Sequence, residues 1–141
     1  ALRLGMAYAS EEIMAVLNKI KPPYNINALT QQEALRVLKQ TDAQEQMVRQ
    51  LLRERDKLRQ SLEQLPMVQR IYPSDANFLL VKMQEAVAIF NYLIDKKVIV
   101  RDRSKVVLCE GCLRITVGTS EENATLLAEL KNYNKSHRVI G

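Results

Sequence analysis

Cys112-Leu113-Arg114-Ile115-Thr116-Val117-Gly118-Thr119 is an apolar run interrupted by a single cation. Its length and its β-branched residues read as a buried strand. A guanidinium cannot be neutralised, and leaving one buried and unpaired costs several kcal/mol. Something anionic should therefore meet Arg114, and its planar fork of donors suits a carboxylate or a phosphate. The plainer alternatives are an arginine on a solvated strand face, or one paired with an internal Asp or Glu.

Working outward from that strand, the chain after residue 66 alternates short apolar runs with helical periods. Met67 to Tyr72 reads as a strand, Pro73-Ser74-Asp75 as a turn, and Asn77 to Lys82 as a strongly apolar strand. Residues 84–95 read as a helix with Ala86, Ile89, Phe90 and Leu93 inward. A short strand is expected at Val98-Ile99-Val100-Arg101, and a hairpin strand at Val106-Val107-Leu108. The Arg114 strand follows, then a helix from Ser120 with Glu121 and Glu122 in its first turn and Leu126, Leu127 and Leu130 inward. The order β, β, α, β, β, α predicts an α+β domain, a small sheet covered by helices on one face.

Upstream the reading is helical. Ala1 to Ala9 looks like an opening strand, and Ser10 is a good N-cap for a helix with Ile13, Val16, Leu17 and Ile20 on one face. Pro22-Pro23 stops it and starts an extended linker. Two helices are expected at about 28–40 and 42–64, the second capped by Thr41 or Asp42 and closed by Pro66. Val48, Leu51, Leu52, Leu58, Leu62 and Leu65 mark its buried stripe.

Composition narrows the classes of function. The 141 residues, 47% hydrophobic and 26% charged, suit one globular domain. No apolar stretch approaches the roughly 18 residues of a membrane span. No basic leader precedes a long apolar stretch, so no signal peptide is read, and the missing initiator Met suggests a piece of something longer. The net charge of +5 is modest, and the densest basic stretch, Arg49 to Arg59, is interleaved with acids. That argues for a solvated helix face and against a nucleic-acid surface. Cys109 and Cys112 form C-x-x-C, but zinc needs two further ligands and His137 is the sole histidine. A redox pair normally opens a helix, whereas this pair leads into a strand, so two reduced thiols are expected. No metal site is read.

No nucleophile is evident, and there is no Ser-His-Asp set, G-x-G-x-x-G or P-loop. The polar groups set on strands and linkers are Arg3, Tyr24, Asn25, Arg101 and Arg114. Three arginines on or beside strands suit anion recognition more than bond-making. Taken alone, the residues leave open a non-enzymatic anion-binding or dimerisation module.

Leu2-Arg3-Leu4-Gly5, Pro23-Tyr24-Asn25, Asn77-Phe78-Leu79-Leu80, Val100-Arg101-Asp102 and the Arg114 run occur in that order. Together they resemble the C-terminal part of the histidinol-phosphate aminotransferases, pyridoxal-phosphate enzymes of the aspartate aminotransferase fold type. The resemblance covers essentially the whole chain. It implies a remnant of the large cofactor-binding α/β domain over 1–27, connecting helices over 28–65, and a small C-terminal α+β domain over 66–141.

The same resemblance assigns roles. Arg3 matches the contact to the phosphate of pyridoxal 5'-phosphate. Arg114 matches the arginine that grips the substrate's acidic end, phosphate or carboxylate. Arg101 matches a second substrate-phosphate contact, and Tyr24 matches a tyrosine lining the substrate pocket. The whole enzyme would convert L-histidinol phosphate and 2-oxoglutarate to imidazole-acetol phosphate and L-glutamate in histidine biosynthesis, as a cytoplasmic homodimer. Another pyridoxal-phosphate aminotransferase, for aromatic or acidic amino acids, is the close alternative. A second arginine in the pocket favours a phosphate over a lone carboxylate. The family's Schiff-base lysine lies shortly before the position of Arg3, upstream of Ala1. The piece alone is therefore expected to hold little or no cofactor and to be inactive.

Overall fold

A computed structural model describes residues 4–23 and 25–136. The chain divides into two compact units, Ala1–Gln46 and Met47–Gly141.

In the first unit, α1 (Glu11–Ile20) follows Ser10, with Glu11 and Glu12 in its first turn, and ends before the proline pair. Acidic groups there complement the positive end of the helix dipole. Next comes α2 (Ala28–Leu38), where the Asn27 side chain caps the helix by accepting from the Thr30 amide at 2.8 Å. Neither helix carries a buried residue. Of the strand expected at the start, the described part does not form: residues 4–10 belong to no regular element and are exposed. A strand needs a hydrogen-bonding neighbour, and no described segment pairs with this one.

The long helix α3 (Thr41–Glu63) begins in the first unit and supplies the second with Leu58 and Leu62, both fully buried. Its buried stripe is shorter than expected: Leu65 is buried and Leu51 packs against the core, but Val48 and Leu52 are exposed. Glu54, unmarked by the apolar pattern, is buried instead.

The second unit holds a four-stranded sheet in the order β1-β2-β4-β3, every neighbouring pair antiparallel. Its strands are β1 (Val68–Ile71), β2 (Phe78–Met83), β3 (Arg101–Asp102) and β4 (Cys112–Thr116). Helix α4 (Ala86–Asp95) lies between β2 and β3, and α5 (Ser120–Ser136) follows β4. The α+β order of elements is as the sequence predicts. Side chains alternate strictly along β2, with Leu79, Val81 and Met83 buried and their neighbours half-buried. Leu113 and Ile115 of β4 join the buried face, where α3, α4 and α5 bring Leu62, Ile89, Leu93, Leu126 and Leu130. Phe90 and Leu127 pack on this core from its margin.

Two expected strands shrink or vanish for local reasons. The run Val98–Arg101 is reduced to Arg101–Asp102. Lys97, at φ +62°, reverses the chain after α4; its amide donates to Ile94 (2.8 Å) and the Val98 amide to Leu93 (2.8 Å). That is a Schellman closure, and it removes Val98 from any ladder. Val106-Val107-Leu108 is not a strand at all, because residues 103–112 fold as consecutive tight turns. Finally, Thr119 and Glu122 form a reciprocal cap on α5: the Thr119 amide donates to Glu122 Oε2 at 2.8 Å, and the Glu122 amide to Thr119 Oγ1 at 3.2 Å.

Candidate functional site

Alternation along the strands sorts the sheet into a covered face and an open one. The covered face takes Leu113 and Ile115, so Arg114 between them points to the other side. Register then decides its neighbours. Arg114 stands opposite Leu80 on β2 and opposite Arg101 on β3. Both sequence-predicted cations of this unit are therefore direct cross-strand partners on the open face. Arg3 and Tyr24 lie outside the described residues.

Two guanidiniums in that relation repel, and like charges directly opposite destabilise a sheet by some tenths of a kcal/mol. Nothing described relieves them. No Asp or Glu among the described residues lies within ion-pair distance of either group. Asp102 alternates to the other side, where its Oδ1 accepts from the Ser104 amide at 2.8 Å. The alternative in which Arg114 meets an internal carboxylate therefore fails for the described residues.

Arg114 is nonetheless held in place. It is half-buried, and its guanidinium carbon sits 5.2 Å from the centre of the Phe78 ring. Its Nε is fully buried and has no hydrogen-bond partner. The ring contact holds the head of Arg114 beside Phe78, and Arg101 remains exposed beside it. Two preset, unneutralised cations on adjacent strands can hold one multivalent anion; they supply no base and no nucleophile.

Phe78 is the residue that the sequence reading missed as a part of this site. The signal was present: in an alternating strand, Phe78, Leu80 and Lys82 share one face, and Leu80 and Arg114 become neighbours once the register is known. Lys82 and Arg70, which face each other on β2 and β1, extend the positive character of the open face away from the arginine pair. No group of three or more His, Cys, Asp or Glu side chains able to hold a metal occurs among the described residues. No described helix is long and apolar enough to cross a membrane.

Known proteins resemble this chain along most of its length. Residues 1–130 match the model of the family described as aminotransferase class I and II. A histidinol-phosphate aminotransferase of Cytophaga hutchinsonii is 55% identical over 133 residues, 94% of this chain and 38% of the relative. One from Flavobacterium psychrophilum is 51% identical over 130 residues, 92% of this chain and 37% of the relative. Among solved structures, the histidinol-phosphate aminotransferase of Clostridium acetobutylicum superimposes with a TM-score of 0.80 at 22% identity, over 89% of this chain and 38% of that one. The last match concerns the fold alone. The chain thus spans well under half the length of the relatives it matches.

The described residues fit one part of such an enzyme's chemistry. Pyridoxal phosphate is held through a lysine, a partner for its ring nitrogen and a phosphate cradle. The open face offers guanidiniums and no carboxylate to pair with a ring nitrogen. Two guanidiniums suit an anionic group, phosphate or carboxylate.

Proposed function

This chain belongs to the aminotransferase class I and II family, and on that premise we propose that Arg114 and Arg101 grip the anionic end of the amino donor. The observation that carries the reading is their direct opposition across β3 and β4 with no carboxylate in reach among the described residues. The whole protein is a pyridoxal-phosphate transaminase that exchanges the amino group of L-histidinol phosphate with 2-oxoglutarate, in histidine biosynthesis; relatives bearing the name histidinol-phosphate aminotransferase support this reading. Arg114 serves both half-reactions, because phosphate and carboxylate each present two oxygens to one planar fork. Arg101 adds a second cation, which a phosphate dianion uses more fully than a carboxylate does.

The rest of the assignment follows from the resemblance. Arg3 contacts the phosphate of the cofactor, and Tyr24 lines the substrate pocket. Residues 1–27 belong to the large cofactor domain, 28–65 connect, and 66–141 form the small domain; the active enzyme is a cytoplasmic homodimer. The exposed apolar stripe of α1 supports the first of these assignments, since a larger domain would supply its cover. The cofactor supplies the electron sink for the reaction when bound. The present stretch, without the lysine that anchors it, does not transaminate alone.

The test uses the whole protein. Histidinol phosphate should shift the cofactor's absorbance band in the wild type. Arg114→Ala should retain the cofactor but weaken both histidinol phosphate and glutamate by about a hundredfold, the loss of two charged hydrogen bonds. Arg101→Ala should weaken histidinol phosphate more than glutamate. Normal binding of both donors by Arg114→Ala overturns the assignment.

A further inference from the structure

The turns between β3 and β4 place a feature that anion binding does not use. The Val106 amide donates to Arg103 at 2.8 Å, the Cys109 amide to Val106 at 2.9 Å, and the Cys112 amide to Cys109 at 3.0 Å. Cys109 and Cys112 are therefore the first and last residues of one tight turn. Gly111, at φ +70°, takes the third position, where a left-handed residue is needed for a type II turn. Such a turn keeps its end Cα atoms within about 7 Å, and a disulfide spans about 4.4–6.8 Å between Cα atoms. A helix start is one way to bring the ends of a C-x-x-C segment close; here a turn brings the two Cα atoms within that range.

The two thiols are free and unequal. Cys109 is partly exposed, whereas Cys112 is fully buried on the open face of the sheet, opposite Lys82. Burial, and then the proximity of Cys109, push the Cys112 thiol above its ordinary range. One sulfur is thus placed to meet a reagent and the other is kept behind it.

We propose that Cys109 and Cys112 are a redox-active dithiol that a small-molecule disulfide converts to an intramolecular disulfide across the β3–β4 turn. The Cys109 thiolate attacks one sulfur of the small disulfide, forms a mixed disulfide and expels one small thiolate. Cys112 then gives up its proton to that thiolate and attacks the Cys109 sulfur, and the second small thiolate leaves and takes up the proton that Cys109 gave up. Two electrons pass from the cysteines to the reagent, which ends as two thiols. The bond fixes Cys112, whose carbonyl accepts from the Arg103 amide at 2.9 Å, so it tightens the junction of the two strands that carry Arg101 and Arg114.

The experiment incubates the protein in graded mixtures of reduced and oxidised glutathione, quenches with iodoacetamide, and weighs both the intact chain and its tryptic peptide 106–114, which contains both cysteines. The expected product is monomeric, lighter by two hydrogens, and resists alkylation until reduced. Cys112→Ser should stop at a single glutathione adduct on Cys109, and Cys109→Ser should remain unmodified. Wild-type protein that accumulates a stable adduct, or that stays fully alkylatable in the most oxidising mixture, overturns the proposal. So does Cys109→Ser reacting as fast as Cys112→Ser. The wild-type mass decides the matter even if a serine variant fails to fold.

Discussion

Helix α1 and helix α5 show how little an apolar stripe says about its own burial. In α1, Ile13, Val16, Leu17 and Ile20 keep regular helical spacing, yet they remain 54%, 57%, 37% and 72% exposed. In α5 the apolar positions are sparser, yet Leu126, Leu130 and Tyr133 are buried. The difference is supply. The second unit has a sheet face with Leu79, Val81, Leu113 and Ile115 to receive a helix; among the described residues nothing receives α1. An amphipathic pattern states which side of a helix wants cover, and only a second apolar surface provides it.

The strongest way to break this contrast is a matched pair of truncations. Leu113→Ala removes a side chain with no exposure and should lower stability by about 2–5 kcal/mol. Leu17→Ala, in the exposed stripe, should change the same denaturant midpoint by less than about 0.5 kcal/mol. Equal losses would mean that the two stripes are equally covered. A smaller effect probes the polar part of the second unit. The Asn123 side chain accepts from the Gly118 amide at 3.0 Å and donates to its carbonyl at 3.2 Å and to Glu54 at 3.5 Å. It ties the end of β4 to α5 and α3, so Asn123→Ala should cost about 1–3 kcal/mol in the same assay.

The contrast also explains what was legible beforehand. Proline pairs, N-caps and helical spacing are local, and they place α1, α2 and α3 within a few residues. Likewise the strongly apolar run Asn77–Lys82 yields β2. The failures are those of partnership. Residues 4–9 have a strand's composition and no neighbour; Val48 and Leu52 have a core position's spacing and no surface to meet. Glu54 breaks the pattern from the other side, because its partners Lys57, Ser120 and Asn123 are gathered by the fold from two helices. At the site, Arg114 stood out within its apolar run, but its pairing with Arg101 depends on a register that no local signal carries.

A stabilising change sharpens the account of β3. Lys97 occupies the left-handed position of the Schellman closure, at φ +62°, where a residue with a Cβ is strained and glycine is not. Lys97→Gly should therefore raise stability by up to about 1 kcal/mol, measured by thermal or urea unfolding, despite adding freedom to the unfolded chain. Loss of stability would show that the lysine side chain contributes more than its backbone strain removes.

The subtlest test concerns acid. The hydrogen bond from Lys57 (3.1 Å), followed by that of the Ser120 hydroxyl, holds the Glu54 carboxyl below the ordinary glutamate range, against the opposing pull of burial. A carboxyl depressed in the folded state adds stability that is fully present above its unfolded value, about 4.3, and disappears as the pH falls through the lower folded value. Glu54→Gln removes that titration. The gap in denaturant midpoint between wild type and Glu54→Gln should thus be largest near neutrality and narrow steadily between about pH 5 and about pH 3. A gap that stays constant over that range would assign Glu54 a packing role independent of its charge, and α3 would then be joined to α5 by shape alone.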